Sequence, residues 1–210
     1  MKNNTIYRKQ VELLLQVLPF VSKEDCFALK GGTAINMFIR DMPRLSVDID
    51  LVYLPIQDRA ASLHEISQAL ERIAQNIESH MRRSKVFRLD QREDGSLSKL
   101  QVQRENIRIK IETSPVMRGT LKESTTKTVS PKVEEMFGFA ETQIVHNDDL
   151  YAGKICAALD RQHPRDFFDI RGLLDYEGIS DDLMDVFIIY LISSNQSISK
   201  LLQPNRIDIS

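Results

Sequence analysis

The sequence has little cysteine and no long apolar run, and each shortage excludes a class of function. Two cysteines occur in 210 residues, Cys26 and Cys156, far apart and in apolar surroundings. That spacing builds neither a disulfide framework nor a metal knuckle, and it fits buried, reduced thiols. The longest uninterrupted apolar run, Val186 to Ile192, is seven residues, whereas a bilayer span needs about 20. No membrane-spanning helix is predicted. Lys2 and Arg8 precede an apolar stretch that Glu12 and Gln16 interrupt, so a signal peptide is not indicated and the expected location is cytoplasmic. An excess of one charge is also missing: 28 Lys and Arg face 30 Asp and Glu. The balance hides an asymmetry, because residues 81 to 132 hold 13 basic residues against six acidic ones. A positive segment on a near-neutral chain concentrates polyanions locally. Nucleotide or RNA contact is one reading of it, and the solvated outer faces of strands are the other.

What the sequence does contain is a set of clear periods. Apolar residues at helical spacing predict a helix from Thr5 to Leu18, stopped by Pro19. Cys26 to Leu29 reads as a short strand running into the Gly31-Gly32 turn and a short helix over 34–40. Val47 to Leu54 alternates strictly, with Val47, Ile49 and Leu51 on one face and Asp48 and Asp50 on the other. Leu63, Ile66, Leu70, Ile73 and Ile77 predict a long amphipathic helix over 58–80. Strands follow over 86–90, 98–104 and 107–113, the first two joined by Glu93-Asp94-Gly95-Ser96, in an antiparallel meander. Residues 115–131 show no period and read as irregular, with room for one edge strand. Asn147-Asp148-Asp149 reads as an N-cap cluster, and three helices are predicted beyond it over 150–161, 165–176 and 181–194. His146 and His163 have no metal or triad spacing and read as loop residues. The expected class is α+β, a mixed sheet with flanking helices over residues 1–145 and a helical subdomain over 146–210.

Four local features carry chemistry. Asp48 and Asp50, at alternate strand positions, place two carboxylates on one face roughly 6.5 Å apart, suited to hard cations, although a strand face meeting water has the same pattern. Gly31 and Gly32 allow close backbone approach at a strand-to-helix turn, and Thr33 adds a hydroxyl suited to a phosphate oxygen. Glu112 shares the polar side of its strand with Arg108 and Lys110; it completes an acidic triad if that strand neighbours Asp48, or else forms a cross-strand salt bridge. Lys154 and Arg161, seven apart on a helix, form a basic stripe. Arg165 and Asp169 follow, either as an internal ion pair or with Asp166 and Asp169 orienting the basic side chains.

Together these blocks resemble the AbiEii/AbiGii-type nucleotidyltransferase toxins of the DNA polymerase β-like superfamily. The resemblance rests on Lys30-Gly31-Gly32-Thr33, on Arg44-Leu45-Ser46-Val47-Asp48-Ile49-Asp50-Leu51, on Ile109 to Glu112, on Lys154 to Ala157, and on Arg165 to Asp169. It implies a nucleotidyltransferase-like fold and a Mg²⁺-dependent transfer of a nucleotide from NTP, with RNA such as tRNA as the acceptor and a cognate antitoxin as partner. It implies that Asp48 and Asp50 hold magnesium with Glu112 as the third acid. Gly31, Gly32, Thr33 and Lys154, with Arg161 and Arg165, would hold phosphates, and Asp169 would be a further essential acid. Many relatives carry a larger helical portion at the C-terminus, so a short or truncated helical subdomain is expected here. A catalytically inactive NTP- or partner-binding module of the same fold and transfer to a protein hydroxyl are the alternatives.

Overall fold

The computed structural model describes residues 2–91 and 96–203, so most of the Glu93-Asp94-Gly95-Ser96 turn lies outside the described residues. Two compact units are present: Met1–Gly119 with Ser124–Ile144, and Thr120–Glu123 with Val145–Ser210.

The first unit holds a seven-stranded mixed sheet. Helix α1 spans Lys2–Val21 and strand β1 Phe27–Lys30. A short helix, α2 (Gly31–Ala34), continues into one π-helical turn over Ile35–Ile39. Strand β2 is Asp48–Tyr53 and helix α3 is Arg59–His80. Strands β3 (Ser84–Gln91), β4 (Leu97–Arg104) and β5 (Ile107–Arg118) follow, then β6 (Thr125–Thr128), α4 (Pro131–Phe137) and β7 (Glu141–Ile144). The spatial order is β3-β4-β5-β2-β1-β7-β6. The parallel pairs are β2 with β5 and β1 with β7; the other neighbours run antiparallel.

One face of this sheet is the core. Ile49, Leu51, Leu100, Val102, Ile109 and Ile111 are buried there, and α1 and α3 pack against the strands. Helix α3 starts on Asp58, whose carboxylate accepts from Ala61 N–H at 3.0 Å, replacing a bond that the first turn lacks. Arg88 ties β3 to α3 through Glu71 and Glu78 at 2.8 Å each.

Three local expectations are corrected. Helix α1 runs through Pro19 to Val21, because a proline in the last turn costs one backbone bond and Ser22 N–H still reaches Leu18 O at 2.8 Å. Residues 115–131 hold the expected edge strand, β6, and are otherwise more ordered than their composition suggests: β5 extends to Arg118 and α4 begins at Pro131. The third concerns the start of α5: Asn147, Asp148 and Asp149 lie inside its first turn, and the cap is a histidine, while both histidines sit outside the helices as expected. His146 and His163 are the N-caps of α5 and α6, their Nδ1 atoms accepting from Asp148 N–H at 3.2 Å and Arg165 N–H at 3.1 Å.

The second unit is helical: α5 (Asn147–Arg161), α6 (Pro164–Tyr176), α7 (Asp181–Ile192) and α8 (Ile198–Leu202). Asp148 and Asp149 lie inside the first turn of α5. The buried Asp149 carboxylate accepts from Leu121 N–H at 2.9 Å, Lys122 N–H at 3.0 Å and the Tyr190 hydroxyl at 2.8 Å. Burial and that carboxylate push the Tyr190 phenol well above its usual value.

Candidate active site

Strand register assembles the site of the first unit. Lys30 of β1, Asp50 of β2, Glu112 of β5 and Lys99 of β4 are successive cross-strand partners. A second row runs Asp48, Lys110, Gln101 and Phe87 of β3. Directly opposed residues share a face, so both rows lie on the side of the sheet away from its apolar core. The condition attached to Glu112 is met: β5 is the parallel neighbour of β2. Its carboxylate is engaged by Lys99 Nζ at 3.3 Å and Lys110 Nζ at 4.0 Å, so the cross-strand ion pair forms. Among the described residues, no three His, Cys, Asp or Glu side chains come together as a metal-binding group.

The glycine turn touches the acidic pair. Gly31 has φ +74, and a Cβ built on it would lie 2.6 Å from Asp50 Oδ2. Only glycine permits both this backbone angle and so close a carboxylate. A Cβ on Gly32 would meet Arg44 Nη2 at 2.7 Å and Ser46 Oγ at 2.9 Å, which puts the Arg44-Leu45-Ser46 segment against the turn. Thr33 is fully buried, and its hydroxyl donates to the Asp48 carbonyl, with Ser46 Oγ 3.1 Å away. The structure therefore uses Thr33 to brace the start of β2 against α2. Asn36, within the π-helical turn, donates from Nδ2 to Gly32 O at 2.8 Å.

Lys30 also belongs to the site, as the direct partner of Asp50. Burial holds its ammonium below the usual lysine value, and Asp50 pulls the other way. Its position next to the glycine pair was the available signal. Lys99 had none, since its partner Glu112 is set by strand pairing.

In the second unit the expected basic stripe closes on acids. Lys154 Nζ lies 3.1 Å from both Asp166 Oδ1 and Asp169 Oδ2, and all three side chains are buried. Arg161, on the same face of α5, makes a two-point contact with Asp166 at 2.6 and 2.9 Å. Burial raises the Asp166 carboxyl, but Arg161 and Lys154 outweigh it and hold the group below the usual carboxylate range. Arg165 is exposed at the start of α6. Of the two readings for this segment, acids orienting the basic side chains is the one found for Lys154 and Arg161.

The family model described as nucleotidyl transferase AbiEii toxin, of a type IV toxin–antitoxin system, matches residues 12–209. The chain belongs to this family. The AbiEii-family fold is seen again in a solved structure, the nucleotidyltransferase toxin MenT4 of Mycobacterium tuberculosis. The two superpose with a TM-score of 0.63 at 15% identity, covering 89% of this chain and 63% of that one. This AbiEii-family chain thus spans less than two thirds of the MenT4 chain. No curated protein sequence matches it. No described helix is long and apolar enough to cross a membrane.

Proposed function

We propose that this chain transfers a nucleotide from an NTP to the hydroxyl of an RNA acceptor, such as the end of a tRNA, in a Mg²⁺-dependent reaction, and that an antitoxin restrains it. The observation that carries this reading is the contact of Gly31 with the Asp50 carboxylate, on a strand that presents Asp48 to the same side. A cradle that any Cβ would fill, beside two oxygen ligands, suits a phosphate-bound hard cation. Mg²⁺ is commonly held by one or two carboxylates, with water and substrate phosphates completing its shell, so two aspartates without a third clustered acid fit it. When bound, the ion neutralises phosphate charge and makes the attacking hydroxyl more acidic.

The chain's own residues position the reactants, which is most of what phosphoryl-group chemistry asks of a protein. Asp48 and Asp50 hold the cation, and the Gly31-Gly32 turn, braced by Thr33 and packed by Arg44, receives the triphosphate. Glu112, held by Lys99 and Lys110 beside Asp50, serves as proton acceptor and not as a third ligand of the cation. The acceptor hydroxyl oxygen attacks the α-phosphorus as its proton passes to the Glu112 carboxylate, the bond from that phosphorus to the oxygen shared with the β-phosphate breaks, and pyrophosphate leaves with the electron pair. Phosphate contacts by Lys154, Arg161 and Arg165, and a supporting role for Asp169, belong to the same proposal.

The test is incubation with radiolabelled NTPs, Mg²⁺ and total RNA, comparing wild type with Asp48→Asn and Asp50→Asn. Labelled RNA is expected from wild type and at least about 100-fold less from either variant. Labelling by the variants at the wild-type rate overturns the assignment. NTP binding without transfer to RNA would favour the inactive binding module, and label in protein a protein hydroxyl as acceptor.

A further inference from the structure

The outer side of β3, β4 and β5 has a composition that the fold alone does not require. Their inner side is filled by α1 and α3, so residues on the outer side do not serve that core. Three rows cross it in register: Leu89, Lys99 and Glu112; then Phe87, Gln101 and Lys110; then Lys85, Gln103 and Arg108. Arg108 Nε donates to Gln103 Oε1 at 2.9 Å, and Lys99 meets Glu112, so these side chains do share the face. Lys85, Arg108 and Lys110 are exposed. Four cations thus stand against one carboxylate among the described residues of these strands. Phe87 is 42% exposed in their midst, and its direct partner on β4 is Gln101, which gives it no apolar mate.

We propose that this face is a platform for a single RNA strand, the acceptor, whose reactive end reaches Asp48 along the middle row. The proposal rests on the transfer reaction assigned above. A charge excess of one sign attracts the phosphate backbone. An aromatic ring set among cations offers a base a stacking surface, and the Gln101 amide beside it can donate to and accept from a base edge. An acidic protein would match the charge, but a stable protein interface needs a wider apolar centre than Phe87 and the half-buried Leu89 supply among these cations. Three strand spacings separate Phe87 from Asp48, about 14 Å, so a base stacked on Phe87 and a hydroxyl at the aspartates fit on one short strand. The whole platform lies within the first unit.

The test uses the full chain without NTP and a fluorescently labelled single-stranded RNA oligonucleotide, with binding followed by anisotropy at several salt concentrations. Wild type is expected to bind, with affinity falling as salt rises. Phe87→Ala is expected to weaken binding roughly tenfold without changing the salt slope. Lys85→Ala/Arg108→Ala is expected to make that slope shallower by about 1.4. All three substitutions are at exposed positions, and unaltered circular dichroism and NTP binding report an intact fold. Wild type that binds no RNA, or variants that bind RNA as wild type does, overturns the platform. Loss confined to the double variant, with polyglutamate competing as well as RNA, assigns the face to an acidic protein and overturns it too. RNA binding that these variants lose, with no nucleotide transfer by wild type, supports the platform and sinks the transfer reading instead.

Discussion

Gly31 shows how little freedom a single position can have. Its φ is +74, and the Asp50 carboxylate occupies the space beside its Cα. Gly31→Ala adds the left-handed backbone cost of an L-residue, roughly 1–2 kcal/mol, and pushes Asp50 away from Asp48. The variant is expected to be modestly less stable in urea and to need several-fold more Mg²⁺ for half-maximal transfer. An unchanged metal requirement would separate the glycine from the acidic pair. The two cysteines illustrate the opposite case. Burial pushes both thiols up to about 11, so neither supplies a thiolate near neutral pH, as their apolar neighbourhoods in the sequence indicate. Thr33 is a residue whose type was legible and whose partner was not. A hydroxyl after two glycines invites a phosphate, but here the chain folds its own Asp48 carbonyl onto it.

At the scale of elements, α5 and α6 are joined by charge rather than by apolar surface alone. Lys154 is enclosed by Asp166 and Asp169, and Arg161 completes the balance. Removing one partner of a buried ion pair leaves the other charge uncompensated, at a cost of about 3–5 kcal/mol. Lys154→Met is therefore expected to lower the urea midpoint of the helical unit by that equivalent, with no nucleotide present. A purely phosphate-binding lysine would leave stability in the absence of nucleotide unaffected. The amphipathic periods of α1 and α3 and the alternation of β2 are readable because burial on one face imposes them. The segment 120–123 is not, because its order comes from the Asp149 carboxylate and from Lys122, which pairs with Asp148 at 2.6 Å and Asp182 at 2.7 Å. Those partners are distant in sequence, and nothing in the local composition reports them.

For the molecule as a whole, ligand linkage gives the clearest expectation. A ligand that binds only the folded form, at 100 times its dissociation constant, stabilises by about 2.7 kcal/mol. A non-hydrolysable NTP with Mg²⁺ should raise the thermal midpoint of wild type. Addition of EDTA should reverse the shift, and Asp48→Asn/Asp50→Asn should not show it. An EDTA-insensitive shift of equal size in the double variant would remove the metal from the site.

By itself the sequence determined the class of the protein. Its periods mark the main helices and β2, and its ordered motifs, each weak alone, together carry the resemblance to the AbiEii family. Those signals are local: an alternation, a turn, a spacing along one helix face. Only the tertiary structure decided that β5 lies parallel beside β2, which sets Glu112 next to Asp50 and gives both a row of lysines. The same holds for the two acids around Lys154 and for Phe87 among cations. Pairing between distant strands and helices is fixed by the packing of the whole apolar core, and a residue's cross-strand partner leaves no trace in its own neighbourhood along the chain.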